Sequence, residues 1–297
     1  MARMGTIANR AEELLGTAVA ATTPLAGGDI CSATRLRLSN GSSALVKTRP
    51  HAPADFFRTE AAGLRWLGEP GGLPVPEVLA VLDGEEGRGL VLAWVEPGRL
   101  DGDGEEELGR GLARIHRAGA EAFDALPPGS PRRELRFGGV ELPVGSVPSG
   151  SPWSAHYSAR LELLSGVARD RGRIDEACAA AVRRVIDRID ELAGPAEPPA
   201  RVHGDLWSGN VLAAADGRPW LIDPAAHGAH RELDLAMLEL FGSVSPRTYA
   251  AYEEVGPLTD GHEKRVGLWQ LQPLLVHAIL FGGSYGAAVA RTAARYA

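Results

Sequence analysis

The sequence predicts an α+β protein of two lobes, a small β-rich N-terminal lobe and a larger, mostly helical C-terminal lobe. Three observations support this prediction. Strand-like runs dominate before residue 95, amphipathic helical patterns dominate from Glu105 onward, and short apolar runs around "HGDLWSGN" interrupt the helical part. The 297 residues are enough for two lobes with a core in each. The Gly- and Pro-containing stretch "EPGRLDG" is the predicted boundary, which assigns residues 1–95 to the N-terminal lobe and 96–297 to the C-terminal lobe.

The N-terminal lobe is predicted to contain two helices and a set of strands. "MARMGTIANRAEELLG" has the pattern of an amphipathic helix, and "ADFFRTEAAGLRWLGEPGG" has helical spacing that ends at Gly-Gly. "VAATTPLAGGDICSATRLRL" and "SALVKTR" are β-rich runs joined by "SNG", which predicts a hairpin, and "AGGD" interrupts the first run. "VPEVLAVLD" and "GLVLAWV" are two further strands, and the second is apolar enough to be buried.

The C-terminal lobe is predicted from strong helical periodicity. "EEELGRGLARIHRAGA", "SAHYSARLELLSGVARDRG" and "RIDEACAAAVRRVIDRIDELAG" each predict one helix. Residues 127–152 are rich in Pro, Gly and Ser and predict a long irregular connection. "RVHGDLWSGNVLAAADGRPWLIDPAAH" predicts strand, loop, strand, turn and strand, and the last helices are expected around "ELDLAMLELFG" and "EKRVGLWQLQPLLVHAILFGG".

Composition narrows the class of protein. Hydrophobic residues make up 44% and charged residues 23% of the chain, an ordinary soluble composition, and the formal net charge is −7. A general nucleic-acid binder or a membrane-surface protein would normally carry a basic face, so neither is expected. The two cysteines make no disulfide framework and fit a reducing cytosol. With no signal peptide and no membrane-spanning run in the sequence, we expect a cytoplasmic location; the oligomeric state stays open.

Three features of the N-terminal lobe fit phosphoryl transfer, which needs a loop over the phosphates, a lysine and an acid that orients it. Gly27 and Gly28 lie between two strands, where backbone N–H groups can approach phosphate, although such a pair is more often only a turn. Lys47 shares a strand face with apolar Leu45, although a lysine on an edge strand that faces water would give the same sequence pattern. Glu60 is the only acid in "FFRTEAAGLRWL", and the order of the three makes a Lys47–Glu60 pair more credible than either residue alone.

The stretch "HGDLWSGN" supplies the remaining parts. Asp205 and Asn210 have the Asp-x-x-x-x-Asn spacing of a kinase catalytic loop, in which the Asp accepts the proton of the acceptor hydroxyl and the Asn carbonyl binds metal. Asp223 ends an apolar strand thirteen residues after Asn210, where a carboxylate can hold Mg²⁺ between phosphates. Oxygen ligands suit this hard cation. His203 is interpreted as holding the loop by hydrogen bonds rather than as a base. Asp234 lies at the start of a predicted helix, and that position by itself indicates a helix cap.

"HGDLWSGN" followed by "LIDPAAHGAHRELDLAM" resembles the fructosamine kinase (ketosamine-3-kinase) family, within the aminoglycoside phosphotransferase and choline kinase-like group of the protein-kinase-like fold. Trp207 is the discriminating residue, because aminoglycoside enzymes usually lack a Trp after "DL". "FFRTEAAGLRWL", "LGRGLARIHR" and "HEKRVGLWQLQPLLVHAILFGGSYG" extend the resemblance over nearly the whole chain.

The resemblance implies a role for each candidate residue. Asp205 is the catalytic base, Asn210 and Asp223 bind Mg²⁺, and Lys47 with Glu60 orients the phosphates of ATP. Trp207 flanks the sugar acceptor, and Glu232 and Asp234 have a supporting or substrate-side role. The implied nucleotide loop is Gly27, Gly28, Asp29 and Ile30, and the implied hinge that binds adenine through its backbone is Leu92, Ala93, Trp94 and Val95.

The resemblance also implies the reaction. It is transfer of the γ-phosphate of ATP to the 3-hydroxyl of a ketosamine, a small glycated amine, and the acceptor could also be a glycated lysine of a protein. The phosphorylated adduct is labile, which makes the activity a deglycation repair. The family's acid in the hinge is replaced by Ala93, and residues 136–157 lack expected Asn and Gln residues, so the acceptor is the open part of the prediction. A kinase for an aminoglycoside or an amino alcohol, and a nucleotide-binding pseudokinase, are the alternatives.

Overall fold

A computed structural model describes residues 2–25, 31–83, 87–137, 139–242 and 244–297 of the chain. The helices are α1 (Ala2–Leu15), α2 (Phe56–Gly68), α3 (Gly102–Arg117), α4 (Trp153–Asp170), α5 (Glu176–Asp187), α6 (Ile189–Leu192), α7 (Glu232–Leu240), α8 (Pro246–Val255), α9 (His262–Phe281) and α10 (Tyr285–Ala293). The strands are β1 (Val19–Leu25), β2 (Ser32–Leu38), β3 (Ser43–Thr48), β4 (Val78–Leu82), β5 (Gly89–Ala93), β6 (Glu134–Phe137), β7 (Val140–Pro143), β8 (Ala200–Val202), β9 (Val211–Ala213), β10 (Pro219–Leu221) and β11 (His227–Ala229).

The N-terminal part is a five-stranded antiparallel sheet in the order β1-β2-β3-β5-β4. Alternation along β3 sends Val46 to the face covered by α1, where it joins a core cluster with Ile7 and Leu36. Leu45 packs on the other face with Phe57 of α2. Lys47 is two residues from Leu45 and therefore points to the α2 face, as the sequence predicted.

The C-terminal part is mostly helical. Its largest core cluster is formed by α4, α5, α7, α9, α10 and the β6–β7 hairpin, and includes Tyr157 and Trp269. Side-chain caps help to fix where its helices begin. Asp101 accepts from the N–H of Gly104 at 2.9 Å before α3, and Asp175 accepts from the N–H of Cys178 at 2.8 Å before α5.

Two elements differ from the sequence prediction. Residues 127–152 are not entirely irregular, because β6 and β7 pair as an antiparallel hairpin within them. The predicted single helix over residues 173–194 is divided at Arg188 into α5 and the short α6. The segment around "HGDLWSGN" is confirmed as strand β8, a loop ending in a 3₁₀ turn over Ser208–Asn210, strand β9, a turn and strand β10.

The architecture confirms the predicted two-lobed α+β class. The sheet ends at Ala93 and the next helix begins at Gly102, and we propose the division after residue 95 within this interval. In the part of the chain that the structure describes, no helix has both the length and the apolar character needed to cross a membrane.

Candidate functional site

Lys47 lies at the centre of a buried ion-pair cluster. Its Nζ donates to Glu60 Oε1 at 2.6 Å and to Asp223 Oδ1 at 2.7 Å. The Lys47 and Glu60 side chains are 7% and 10% exposed, whereas that of Asp223 is 43% exposed. Burial lowers the pKa of Lys47, but the two carboxylates outweigh it and the pKa is raised, so the ammonium is charged at neutral pH. The predicted ion pair between Lys47 of β3 and Glu60 of α2 is therefore present. Lys47 also joins the sheet to Asp223, which follows strand β10.

The loop after β8 carries Asp205 and Asn210. Gly204 has φ +82°, and a Cβ there would lie 2.3 Å from the carbonyl oxygen of Ala225, so only glycine fits this turn. Asn210 Nδ2 donates to the Asp205 carbonyl oxygen at 2.7 Å and to Asp205 Oδ2 at 3.3 Å. These bonds occupy the amide nitrogen of Asn210 and leave its amide oxygen as the group that could bind a metal in the cavity that the residue lines.

Buried polar contacts hold this loop in place. Asp234 accepts from the N–H of His203 at 2.7 Å and the N–H of Gly204 at 2.9 Å, and His116 Nε2 lies 3.1 Å from the same carboxylate. His203 Nε2 lies 2.8 Å from the carbonyl oxygen of Ile222, and its Nδ1 accepts from the N–H of Asp205 at 3.2 Å. Burial lowers the pKa of His203. Its contacts are those expected of a histidine that holds the loop.

Asp223 has an unusual backbone. Its φ is +57°, in the left-handed region that residues with a Cβ seldom adopt. The preceding residue, Ile222, donates its N–H to the Asn210 carbonyl oxygen at 3.1 Å, which ties the strand end to the loop. Such strain is often retained where a side chain has a required direction, and here the carboxylate is directed at Lys47.

The carboxyl group of Asp205 is suited to take up a proton near neutral pH. Burial is the largest cause that raises its pKa, to about 6, and the nearby negative charge of Asp223 adds to it. At pH 7 the group is mostly ionised, yet more basic than an ordinary aspartate.

A single cavity of about 900 Å³ brings the predicted residues together. It is lined by Lys47, Glu60, Asp205, Trp207, Asn210, Asp223 and the predicted hinge residues Leu92, Ala93, Trp94 and Val95. Trp207 lies at its edge with 39% of its surface exposed. The predicted nucleotide loop Gly27, Gly28, Asp29 and Ile30 lies outside the described residues.

Two predicted residues lie behind the cavity wall instead. Asp234 is 1% exposed and binds the loop backbone as described above. Glu232 is 3% exposed, pairs with Arg265 at 2.6 Å and accepts from Trp269 Nε1 at 2.7 Å. Of the two roles left open for these acids, the geometry favours support of the site over direct contact with a substrate.

Sequence reasoning missed part of the cavity lining. Strand β6 contributes Glu134, Leu135, Arg136 and Phe137, and Arg132 lies just before it. The helical part adds Phe241, Gln272, His277, Phe281 and Tyr285. The alternation in "ELRF" and "VELP" around Gly-Gly is a hairpin signal that could have identified the first group. His277, Phe281 and Tyr285 follow one another at four-residue spacing in the quoted stretch "HEKRVGLWQLQPLLVHAILFGGSYG", whereas Phe241 at the end of α7 carries no comparable pattern.

The oxygen donors of Asn210 and Asp223 fit a divalent cation. One carboxylate and one amide carbonyl line the same cavity, and such oxygens suit Mg²⁺ completed by phosphates and water. Glu197, His230 and Glu232 also bring ligand atoms within 4.8 Å of one another. Arg231 and Arg265 already bind the two carboxylates there, so this second cluster is better explained as a salt-bridge network.

A sheet lobe with a paired lysine and glutamate, set opposite a loop bearing Asp205 and Asn210, defines a protein-kinase-like phosphotransferase. The family model described as fructosamine kinase matches residues 3–296. The chain therefore belongs to the fructosamine kinase family, and the predicted resemblance is confirmed.

Individual relatives agree with this membership. A probable ketoamine kinase of Thermus thermophilus is 37% identical over 263 residues, 88% of this chain and 88% of the relative. A probable ketoamine kinase of Enterococcus faecium is 31% identical over 267 residues, 90% of this chain and 91% of the relative.

Solved structures give the same fold. A "putative fructosamine-3-kinase" of Thermobifida fusca has a TM-score of 0.86 at 41% identity, covering 98% of this chain and 99% of that one. The choline kinase LicA of Streptococcus pneumoniae has a TM-score of 0.67 at 15% identity, covering 99% and 98%. At that identity the likeness concerns the fold alone, and it confirms the predicted protein-kinase-like class.

Proposed function

We propose that this protein uses ATP and Mg²⁺ to phosphorylate the 3-hydroxyl of ketosamines. The observation that carries the proposal is the meeting of the Lys47–Asp223 pair, Asp205 and Trp207 in one cavity, in a chain of the fructosamine kinase family. Kinases of other acceptors share the ion pair and the aspartate, whereas Trp207 belongs to the resemblance with this family.

ATP would bind between the sheet and the loop after β8. The amide nitrogens of Ala93 and Trp94 already donate to Glu77 O at 2.8 Å and Ser43 O at 3.3 Å. Adenine would therefore be bound through the carbonyl oxygen of Ala93 and the N–H of Val95. Lys47, held by Glu60, would contact the phosphates.

Asp205 would act as the base. Its carboxylate takes the proton of the acceptor 3-hydroxyl, the hydroxyl oxygen forms a bond to the γ-phosphorus, and the bond from that phosphorus to the β–γ bridging oxygen breaks, which releases ADP. A pKa raised to about 6 supports this role, because the conjugate acid is neither too strong nor too weak at neutral pH. Asn210 and Asp223 would hold Mg²⁺, which when bound neutralises charge on the phosphates.

The acceptor would be a small glycated amine. A sugar ring offers apolar C–H faces to an aromatic wall, and a cationic amine is attracted to such rings; the exposed indole of Trp207 beside Asp205 supplies that wall. The 3-phosphate of a ketosamine is labile and loses the amine, so the activity would serve deglycation. A glycated lysine on a protein is a further acceptor of the same chemistry.

An acceptor screen tests the proposal. ATP consumption is measured with the purified protein against fructosamine, ribulosamine and erythrulosamine derivatives, beside aminoglycosides and choline. We expect kcat/KM for a ketosamine to exceed that for the other classes by about a hundredfold or more. If kcat/KM were largest with an aminoglycoside or choline, that compound class would be the acceptor instead of ketosamines. If no compound caused ATP consumption, the protein would be better explained as a pseudokinase.

The base is tested separately by Asp205→Asn. This variant keeps the size of the side chain and removes its proton acceptor, so kcat should fall by about 10²- to 10⁴-fold while the Kd for ATP changes little. Near-normal kcat in this variant would show that another group takes the proton.

A further inference from the structure

Five aromatic side chains form a continuous surface at the mouth of the cavity, here named the aromatic shelf: Trp207, Phe241, His277, Phe281 and Tyr285. The Trp207 and Phe241 rings lie 6.1 Å apart at 80°, and Phe241 lies 5.0 Å from His277. The His277 ring centroid lies 5.1 Å from that of Tyr285 and 5.5 Å from that of Phe281. The shelf is assembled from the catalytic loop, the end of α7, α9 and α10.

The shelf is exposed to an unusual degree. Trp207 and Phe241 are each 39% exposed and Phe281 is 49% exposed, and these are three of the five exposed large hydrophobic residues in the described ranges. Single exposed apolar residues are common, but adjoining ones usually mark a binding surface. Continuity with the cavity that holds Asp205 indicates a small-molecule ligand rather than a separate protein partner.

Another part of the cavity lining is charged. It includes Arg132, just before β6, and Glu134 and Arg136 on β6, and Arg132 binds Asp55 before α2 through contacts of 2.7 and 3.0 Å. Sugar hydroxyls suit this polar part of the lining, whereas an apolar group suits the shelf. An acceptor with one polar end and one apolar end therefore has a preferred orientation.

The chemistry of a ketosamine fixes which group reaches the shelf. Only two carbon atoms separate the carbon that bears the 3-hydroxyl from the amine nitrogen. When that hydroxyl meets Asp205, the cationic nitrogen is within reach of Trp207, two residues along the same loop and lining the same cavity, and the ring face attracts it. Whatever the nitrogen carries then extends outward over Phe241 and Phe281.

We propose that the aromatic shelf binds the organic arm of the glycated amine, so that the enzyme selects ketosamines of apolar or aromatic amines over those with hydrophilic arms. This proposal rests on the proposed function, because it takes the ketosamine nitrogen as the point from which the arm extends.

The test compares two fructose adducts with arms of similar length, one of phenethylamine and one of 2-(2-aminoethoxy)ethanol. Binding of each to the full-length protein with ADP and Mg²⁺ is measured by calorimetry. Burial of the phenyl ring on the shelf should give the phenethylamine adduct a Kd about tenfold lower. Phe281→Ser and Phe241→Ser should each reduce this preference to about threefold or less.

Leu14→Ser is the matched control, because Leu14 is 46% exposed on α1 and does not line the cavity. It should keep the tenfold preference. Equal Kd values for the two adducts in the wild type, or a full preference in both shelf variants, would overturn the proposal. Phosphate transfer to the same adducts is followed separately, so a preference in binding without transfer would reject the proposed reaction and retain the shelf.

Discussion

At the scale of single residues, Trp207 is held by its own loop rather than by the core. A Cβ on Gly209 would lie 2.2 Å from the Trp207 ring, so the indole is folded directly over this glycine. With 39% of its surface exposed, it makes few contacts that the fold needs.

We therefore expect Trp207→Ala to affect the acceptor and not the fold. The acceptor KM should rise about tenfold and kcat should fall, because the sugar loses the surface that orients it. The KM for ATP and the melting temperature should change little. Unchanged acceptor kinetics would remove Trp207 from the acceptor site, and a large drop in melting temperature would show a packing role.

Asp223 combines a charge with a strained backbone, and two substitutions separate these properties. Both Asp223→Asn and Asp223→Ala should abolish the tightening of ATP binding by Mg²⁺, because Asn210 alone is a neutral ligand. Asn tolerates φ +57° better than Ala, so the Ala variant should be less stable than the Asn variant by about 1 kcal/mol.

Titration of ATP with and without Mg²⁺ measures the first effect, and urea denaturation measures the second. Mg²⁺-dependent binding that survives in both variants would place the metal elsewhere.

Which site residues could be predicted depended on local spacing. Asp205 and Asn210 lie on one loop, and Lys47 lies on a strand with clear alternation, so their directions followed from the sequence. Glu232 and Asp234 begin a helix that is buried on several sides. Whether such residues face a cavity or the core depends on tertiary packing that a linear pattern does not contain.

At the scale of elements, the loop after β8 is fastened to α7 through Asp234. This carboxylate is fully buried and its pKa is lowered: burial alone would raise it, but His116 and the backbone N–H donors outweigh that effect. Replacing it would leave these buried donors without an acceptor.

Asp234→Ala should therefore lower the free energy of unfolding by about 3 kcal/mol, together with kcat. Asp170→Ala is the control, since that carboxylate is 70% exposed on α4, and it should change stability by less than about 0.5 kcal/mol. If Asp234→Ala instead raised the acceptor KM at unchanged stability, Asp234 would contact the substrate directly.

The elements themselves were predictable where one period extended over many residues. Helices α3, α4 and α9 have 16, 18 and 20 residues, and strand β5 is almost wholly apolar. The strands of the hairpin have only four residues each, so the alternation that could have identified them is a weaker signal than the surrounding Pro, Gly and Ser, which favoured an irregular connection. The break between α5 and α6 at Arg188 contains no Gly or Pro from which it could be predicted.

At the scale of the whole molecule, the two lobes share a core. One hydrophobic cluster joins Leu67 at the end of α2 and Leu73 after it to Leu112 and Ile115 of α3. Arg132 adds an ionic contact from the C-terminal part to Asp55, in front of α2. A division after residue 95 is therefore compatible with one cooperative unit of folding.

The stability of this unit should depend on pH through a buried network in the C-terminal lobe. His227 is fully buried; its Nδ1 lies 2.7 Å from the Ala225 carbonyl oxygen, and its Nε2 lies 3.2 Å from Nη1 of Arg160. Burial, and secondly the charge of Arg160, lower its pKa from 6.5 to about 4. The Asp124 carboxylate binds Arg160 on the other side.

A folded-state pKa below the unfolded value means that the unfolded chain takes up a proton first as the pH falls. The contribution of His227 to stability is thus complete above about pH 6.5 and is lost as the pH falls toward 4, by about 3 kcal/mol. The pKa of Asp124 is lowered, because Arg160 and His156 outweigh the effect of burial, so its contribution is lost at still lower pH.

Urea denaturation between pH 4.5 and 7.5 measures the net dependence, to which Asp205 contributes in the opposite direction, because its raised pKa stabilises the folded state as the pH falls below about 6. His227→Gln retains an acceptor for Arg160 but cannot be protonated in this range, so the slope of stability against pH should be smaller in this variant. His203 and His230 are also buried and their pKa values are also lowered, so part of the slope should remain in the His227→Gln variant. Equal slopes for the two proteins would show that His227 is not held neutral by the fold.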